Sequence, residues 1–325
     1  MIKIIRSATI SLATLLAALL PVHAVSAADW PARPVELIVP YPPGGSSDII
    51  GRLLAKHLAS LFKQPFVVLN KGGAATAIGT AHVAKSAADG YTLLLADSPL
   101  VVNAAVNPNV PYQLFDDFSP VAVFGTSPSF LYAPIGGSQS LSELIDKAKQ
   151  QPGKVPFASA GGGTSTHLLL EILQREAGVQ FNHIPYKGSA PALMDTAAGT
   201  IDASFSTYAS AESLVSAGKL RVIAMTSDKR LEDFPGVPTL KESGYDGATM
   251  QTWWGILGPA GLPKDINEAL QAALAQIVQT DDVRAQFKRL SVLPNIGDSQ
   301  GFTATIKSDY ERWKGVVEAA DIKLY

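Results

Sequence analysis

Segments with the pattern of β-strands and segments with the pattern of α-helices alternate along almost the whole chain. The apolar stretch VELIVP (35–40), for example, precedes a predicted helix over 47–62, whose apolar residues recur at the spacing of one helix face. Alternation of this kind is typical of parallel strands joined by helical crossovers. The sequence therefore predicts an α/β fold.

Two glycine-rich turns each connect a predicted strand to a predicted helix. The first turn is YPPGGSSD (41–48), and the second turn is SAGGGTSTH (159–167). The first backbone N–H groups of a helix lack partners within the helix, and the helix dipole adds partial positive charge there. Glycine lets a ligand approach the backbone, and serine or threonine adds hydrogen-bond donors. Two such turns predict a site where two parts of the chain close on one anion.

The N-terminus has the pattern of a secretory signal peptide. Two basic residues, Lys3 and Arg6, precede an apolar run over 10–20, and the small residues VSA (25–27) predict a cleavage site after Ala27 or Ala28. The apolar run is shorter than the roughly 20 residues of a membrane-spanning helix. We therefore expect export, removal of residues 1–27 and a periplasmic location.

The composition argues against several classes of site and partner. The chain has no cysteine, which excludes disulfides, thiolate metal sites and a lipoprotein anchor. Removing the signal peptide lowers the 26 basic residues to 24 against 28 acidic ones, a net charge of −4 that argues against nucleic acid and anionic membranes as partners. The histidines lie on separate predicted elements without acidic residues at ligand spacing, so we expect no metal and no cofactor.

The length predicts two lobes, because about 300 residues exceed what one hydrophobic core usually supports. Two long apolar strands, near Gly125 and near Trp253, are the natural places for the chain to cross between lobes. The prediction is one lobe formed by 28–125 plus 250–325, and a second lobe formed by 126–249. Each lobe then contributes one glycine-rich turn at the carboxyl end of a strand, and the ligand cleft lies between the lobes.

Six segments cover nearly all of the chain beyond the signal peptide. They are WPARPVELIVPYPPGGSSDIIGRLLA (30–55), GYTLLLA (90–96), SAGGGTSTHLLLE (159–171), HIPYKGSAPALMD (183–195), GKLRVIAMTSDKRLEDFPGVPTLKESGY (218–245) and WWGILGPAGLPKDI (253–266). In this order they resemble the extracytoplasmic solute receptors of the tripartite tricarboxylate transporter family, also called the Bug family. The resemblance implies a two-lobed periplasmic binding protein, a type II-like Venus flytrap. It also implies capture of a small carboxylate and delivery to membrane transporter subunits. We expect a monomer.

The resemblance also implies which residues meet the ligand. The carboxylate end should meet the first turn, and the second turn should contact the ligand from the other lobe. Recognition should rely on backbone amides and ordered water, and neither turn carries a basic residue. The candidate ligand-binding residues are Tyr41, Gly44, Gly45, Ser46, Ser47, Asp48, Ala75, Thr76, Ser98, Ser159, Gly161, Gly162, Gly163, Thr164, Ser165, His167 and Ser206.

Two stretches depart from the family pattern. Relatives usually read arginine-proline-glycine-alanine-glycine-glycine where this chain has KGGAAT (71–76), which removes one glycine and adds a hydroxyl. Some relatives place an acidic residue near Ser206, where it could pair with a ligand ammonium. Because a serine cannot form that pair, we do not expect an amino acid as the ligand. Short dicarboxylates, tricarboxylates and aromatic acids all remain open.

Two other functions are compatible with parts of this sequence. A periplasmic sensor whose closed form signals to a sensor kinase would satisfy the same sequence. A secreted serine hydrolase would need Ser46 or Ser165 as its nucleophile, and only His167 is available nearby as a base. The chain has no G-x-S-x-G motif and no P-loop, so we expect no catalytic residues and no enzymatic activity.

Overall fold

Strands and helices alternate through residues 30–320, the part of the chain that the computed structural model describes. The predicted signal peptide, 1–27, lies outside these residues. The strands are β1 (Val35–Val39), β2 (Phe66–Asn70), β3 (Thr92–Asp97), β4 (Phe118–Pro134), β5 (Pro156–Ser159), β6 (Asn182–Pro185), β7 (Ala203–Thr207), β8 (Leu220–Met225), β9 (Gln251–Pro259) and β10 (Leu293–Gly297). The helices are α1 (Ser46–Phe62), α2 (Ala77–Ala84), α3 (Ser98–Val106), α4 (Leu141–Gln150), α5 (Ser165–Ala177), α6 (Ser189–Ala197), α7 (Tyr208–Ser216), α8 (Lys264–Ile277), α9 (Asp281–Arg289) and α10 (Ser299–Ala320).

Strand β4 belongs to two halves of one sheet. Its residues 118–128 pair with β9, and part of the same stretch pairs with β10 on the other side. From Ser129 onward, β4 pairs instead with β7 and β8. The first half of the sheet therefore has the order β2-β1-β3-β9-β4-β10, and the second half has the order β8-β4-β7-β5-β6.

Both halves combine parallel and antiparallel pairs. Strands β1, β2 and β3 are parallel, as are β5, β6 and β7, which is the arrangement that the helical crossovers predict. Strands β4, β8, β9 and β10 pair antiparallel with their neighbours, so the sheet is mixed rather than purely parallel. The sheet differs from the predicted parallel arrangement because β4 pairs with strands in both halves. Neither half is therefore built from helical crossovers alone.

Helices cover both faces of the first half of the sheet. Successive residues of β3 point to opposite faces: Leu93 and Leu95 join one buried cluster, and Leu94 joins another. Burial on both faces explains why β3 reads as a continuous apolar run rather than an alternating one. The C-terminal helix α10 contributes Trp313 to the core of the second half, so it packs against both halves. None of the helices between residues 30 and 320 is long and apolar enough to span a membrane.

Candidate functional site

A pocket of about 580 Å³, measured together with its open mouth, lies where the two halves of the sheet meet. The first turn and neighbouring residues form one wall, and the second turn with the starts of α6 and α7 forms the other. The lining residues are Tyr41, Pro42, Pro43, Gly45, Ser46, Ser47, Asp97, Pro99, Ser129, Ala160, Thr164, Ser165, Thr166, Lys187, Gly188, Ser189, Ala190, Pro191, Ser206, Thr207 and Thr252.

Five helices begin at this pocket. Helices α1, α3, α5, α6 and α7 each place their first residues, or the residue before them, in its wall. Each helix N-terminus carries the equivalent of about half a positive charge together with unpaired backbone N–H groups. Among the lining residues, Asp97 carries the carboxyl group and the exposed Lys187 carries the cationic side chain. The pocket is therefore suited to an anion.

The first turn is closed by a carboxylate that faces away from the pocket. Gly44, at a φ of +91°, donates its backbone N–H to Asp48 Oδ2 at 3.0 Å. Asp48 also accepts hydrogen bonds from Arg52 and from Asn70. Burial alone would raise the pKa of Asp48, but these hydrogen bonds outweigh burial and lower it. Asp48 and Gly44 thus shape the turn, whereas Gly45, Ser46 and Ser47 line the pocket.

Asp97 is a pocket residue that the sequence reasoning missed. It ends β3, precedes α3 and is only 2% exposed. Tyr41 Oη donates to its Oδ1 at 3.0 Å, and Ser47 Oγ donates to its Oδ2 at 2.7 Å. Burial raises the pKa of Asp97 to about 7, although the hydrogen bonds act in the opposite direction.

The predicted site residue Ser98, beside Asp97, has a structural position. Its hydroxyl accepts the backbone N–H of Trp253 at 2.9 Å and lies 3.4 Å from the carbonyl oxygen of Gln251. Ser98 therefore joins α3 to β9 and does not line the pocket. A signal for Asp97 was present in the sequence, since an aspartate followed by serine and proline is a common start for a helix.

The loop over 71–76 lies beneath the first turn rather than in the pocket wall. A Cβ on Gly72 would meet Pro42 at 2.9 Å, so the loop packs directly against the turn. Ala75 and Thr76, two predicted site residues, have φ angles of +48° and +82°. The side-chain amide of Asn103 donates to the carbonyl oxygen of Ala75 at 2.9 Å, which helps to hold this conformation. Neither Ala75 nor Thr76 lines the pocket.

We expect the Thr76→Gly substitution to stabilise the protein by about 1–2 kcal/mol. A β-branched residue at positive φ is strained by about 1–3 kcal/mol, and the greater freedom of glycine in the unfolded chain offsets part of the gain. Thr76 is also 1% exposed, and its hydroxyl has no hydrogen-bond partner among residues 30–320. Urea unfolding would measure the change. The Thr76→Ala variant is the control, since it removes the hydroxyl and keeps the strain. A Thr76→Gly variant that is less stable than Thr76→Ala would show that the backbone there is unstrained.

The second turn is held by its own side chains. Thr164 Oγ1 donates to the carbonyl oxygen of Gly161 at 2.7 Å, and the backbone N–H of Ala160 donates to Thr166 Oγ1 at 2.9 Å. Gly161 and Gly163 adopt φ angles of +142° and +73°. These bonds leave Ala160, Thr164, Ser165 and Thr166 in the pocket wall, and the predicted residues Gly161, Gly162 and Gly163 form the turn behind it.

His167 lies behind the second turn and not in the pocket wall. Its Nδ1 accepts the backbone N–H of Gly163 at 3.2 Å, and its ring stacks on His183 with a centroid separation of 3.9 Å. His183 Nε2 lies 2.7 Å from Oγ of Ser159, another predicted residue that is buried behind the wall. Burial and the neighbouring His167 lower the pKa of His183 to about 4, so His183 is neutral near pH 7.

Two buried hydroxyl groups in the pocket wall lack hydrogen-bond partners. Ser206 and Thr207 are 2% and 6% exposed, and no group among residues 30–320 bonds to either hydroxyl. An unpaired buried hydroxyl costs about 1–3 kcal/mol, which makes Ser206 and Thr207 candidates for a bond to a ligand in the pocket. Within the same range, no three His, Asp or Glu side chains are grouped closely enough to hold a metal ion.

The two walls of the pocket touch each other. The backbone N–H of Ser46 donates to Ser210 Oγ in α7 at 2.7 Å, and Arg289 of α9 forms an ion pair with Glu212 of α7 at 3.2 Å. A Cβ on Gly188 would lie 3.4 Å from Pro42 of the opposite wall. The structure therefore shows the cleft in a closed arrangement.

Solved structures share this fold. The periplasmic binding protein BugD is 30% identical, with a TM-score of 0.87 over 90% of this chain and 99% of its own. Rpa4515 of R. palustris, solved with adipate, is 31% identical, with a TM-score of 0.86 over 90% of this chain and 99% of its own. These similarities confirm the predicted two-lobed α/β fold of periplasmic binding proteins.

Sequence comparison identifies the family. Residues 50–322 match the family described as the tripartite tricarboxylate transporter family receptor. The protein BugT of Bordetella pertussis is 39% identical over 303 residues, which cover 92% of this chain and 93% of BugT. This confirms the family that the sequence motifs predict. The chain therefore belongs to the tripartite tricarboxylate transporter receptor family, whose members are periplasmic solute-binding receptors rather than enzymes.

Proposed function

We propose that the protein captures a small carboxylate in the periplasm and delivers it to a membrane transporter of the tripartite tricarboxylate type. The observation that carries this proposal is the convergence of five helix N-termini on one pocket between the lobes. The adipate in the Rpa4515 structure supports a carboxylate as the ligand of this protein, because Rpa4515 has the same fold and is 31% identical in sequence.

In this proposal, the ligand carboxylate lies between the starts of α1 and α5. Gly45 and Ser47 would offer backbone N–H groups from one side, and Ser46 its hydroxyl, because the Ser46 N–H and the Ser47 hydroxyl are already bonded within the protein. From the other side, Ser165 would offer its backbone N–H and its hydroxyl, while Thr164 holds the turn. Charge-assisted hydrogen bonds are stronger than neutral ones, and removal from water strengthens them further. An arginine is not required for tight binding.

The predicted site residues outside the pocket wall are proposed to position it. Gly44 and Asp48 fix the first turn through their mutual hydrogen bond. The other members of this group act from behind either turn or beneath it. They are Ala75, Thr76, Ser98, Ser159, Gly161, Gly162, Gly163 and His167. Substitutions of these residues should change affinity only by moving the wall.

We further propose that the cleft opens about the two segments where the chain crosses between lobes. The proposed lobes are 28–125 plus 250–325, and 126–249. The change of pairing partner within β4 near Ser129 supports a crossing there. The hydrogen bond between Ser46 and Ser210 would break on opening, and ligand contacts to both walls would shift the population toward the closed form. The transporter would recognise that closed form.

A thermal-shift screen tests the carboxylate proposal. The panel contains adipate, succinate, citrate and benzoate, with aspartate as an amino acid. A ligand at about 100 times its dissociation constant adds roughly 2.7 kcal/mol of stability, which raises the melting temperature by several degrees. We expect a response to one carboxylate class and none to aspartate. A flat panel, repeated after partial unfolding to remove any retained ligand, would contradict the proposal.

Two matched substitutions of alanine by leucine show whether the thermal response comes from this pocket. Ala190 lies in the wall, where a Cβ on Gly44 of the opposite wall would approach its Cβ to 3.5 Å. Leucine at this position would fill the pocket and hold the walls apart, so Ala190→Leu should abolish the thermal response. Ala272, on the exposed side of α8, is the control, and Ala272→Leu should retain the full response. A response that survives Ala190→Leu would place the ligand elsewhere.

A further inference from the structure

A carboxyl group stands in the wall of a pocket that is otherwise built for anions. Asp97 lines the pocket at the start of α3 and is 2% exposed. Its Oδ1 lies 3.0 Å from Tyr41 Oη, and its Oδ2 lies 2.7 Å from Ser47 Oγ. Tyr41 and Ser47 line the pocket themselves, so a ligand that bonds to either hydroxyl is linked to Asp97 through one further hydrogen bond.

The hydrogen-bond partners of Asp97 are neutral. Ser47 Oγ accepts the indole N–H of Trp254 at 3.1 Å, so the single hydroxyl hydrogen of Ser47 goes to Asp97. The hydroxyl of Tyr41 is the other donor. Within residues 30–320, none of the ion pairs involves Asp97. A negative charge on Asp97 is therefore buried without a cation.

The titratable groups around Asp97 do not supply that cation. Tyr41 is in direct contact from the first turn, and Tyr112 lies beyond it. From α1, Asp48 binds Arg52 and faces away from the pocket. From the opposite wall, Lys187 is exposed at the pocket lining. Neither α3 nor β9 brings a charged side chain to Asp97, since neither segment contains a charged residue.

We propose that Asp97 takes up a proton from solvent when a carboxylate binds in the pocket, and then donates it in a hydrogen bond to Tyr41 Oη. The Tyr41 hydroxyl, which donates to Asp97 in the present arrangement, would then be free to donate to the ligand. This inference rests on the proposed function. No covalent bond other than O–H is made or broken, and one proton moves from water to Asp97.

The physical reason is repulsion between like charges. Two ionised carboxylates in one buried site repel each other, and the approach of one raises the pKa of the other. Asp97 is already poised for this change, because burial raises its pKa to about 7. The proton removes the repulsion and converts a Tyr41 bond within the wall into a bond to the ligand. A ligand with an ammonium group would instead pair with ionised Asp97 and take up no proton.

Isothermal titration calorimetry measures the proton directly. The probes are adipate, succinate, citrate and benzoate, whose carboxyl groups are ionised at pH 8. Each probe that binds is titrated at pH 8 in two buffers with different heats of ionisation, and the difference in heat gives the protons taken up. We expect an uptake that approaches one proton per ligand. By linkage, the affinity should fall by close to tenfold between pH 8 and pH 9.

Two asparagine variants assign the proton. Asp97→Asn should take up no proton and should bind with the same affinity at pH 8 and pH 9. Asp309→Asn is the matched control, because Asp309 is a half-buried carboxyl that accepts a bond from Trp253 Nε1 at 2.6 Å outside the pocket. Burial raises the pKa of Asp309 as well. The control should keep the wild-type proton uptake.

The outcomes separate this inference from the proposed function. Binding of a probe to the wild-type protein without proton uptake would overturn the role of Asp97 and leave the receptor function standing. Uptake that persists in Asp97→Asn would assign the proton to another group and overturn the inference equally. If none of the four carboxylates binds, the carboxylate pocket itself is wrong, and both proposals fall.

Discussion

We expect the Asp97→Asn variant to lose stability relative to the wild-type protein as the pH falls from 7 to 4, by on the order of 4 kcal/mol in the free energy of unfolding. Burial raises the pKa of Asp97 from 3.8 to about 7. Between these values, the folded protein holds a proton that the unfolded chain has released. The contribution of Asp97 to stability therefore rises as the pH falls through this range, by about 1.4 kcal/mol per pH unit. Asparagine cannot make this contribution.

His183 acts in the opposite direction over nearly the same range. Burial and the stacked His167 lower the pKa of His183 from 6.5 to about 4. Below pH 6.5 the unfolded chain takes up a proton that the folded protein does not, so stability falls as the pH drops toward 4. In the wild-type protein the two contributions largely cancel. The difference between variant and wild type therefore reports on Asp97 better than the wild-type curve alone.

Urea unfolding of both proteins at pH 7, 5.5 and 4 would measure this difference. The comparison uses the change with pH, so a constant offset from the substitution itself does not matter. His183→Gln is the control of opposite sign, and it should gain stability relative to wild type over the same range. Parallel curves for wild type and Asp97→Asn would show that Asp97 has the same pKa in the folded protein as in the unfolded chain, so that the site compensates its charge.

The sequence was sufficient to predict the fold and one part of the site. The predicted helix over 47–62 is observed as Ser46–Phe62, because its apolar face and its glycine-rich start are local signals. The same signals located Ser46, Ser47, Thr164 and Ser165, which the fold brings into one pocket from positions about 120 residues apart. Strand ends followed by helix starts are readable in the sequence, and the sheet brings those ends together.

The other lining residues of the pocket could not be predicted from glycine-rich turns. Asp97, Lys187 and Thr207 enter the wall from strand-to-helix junctions that have no run of glycines, so the pattern that revealed two helix starts missed three others. The reverse error concerns Asp48 and His167, whose side chains bond inside their own turns. Sequence identifies polar residues at a helix start, but the direction of each side chain depends on partners that only the fold supplies.

The Thr207→Val variant should bind its carboxylate about 10- to 150-fold more weakly, while the free protein becomes about 1 kcal/mol more stable. Thr207 lines the pocket, and its buried hydroxyl makes no hydrogen bond within residues 30–320, including no cap to α7. Valine has nearly the same shape, so it removes a buried unpaired group without leaving a cavity. A hydrogen bond to a charged ligand contributes about 1.5–3 kcal/mol, and valine cannot make it.

Thr196→Val supplies the matched control from α6. Thr196 is fully buried outside the pocket wall, and its hydroxyl donates to the carbonyl oxygen of Ala192 at 2.8 Å. Its substitution should cost about 1 kcal/mol of stability and leave affinity unchanged. Thermal unfolding and calorimetry with the carboxylate found in the screen would measure both quantities for both variants. Unchanged affinity in Thr207→Val would show that the Thr207 hydroxyl does not bond to the ligand. Opposite changes in stability and affinity would instead show that the free protein keeps an unpaired hydroxyl for the ligand, at the expense of its own stability.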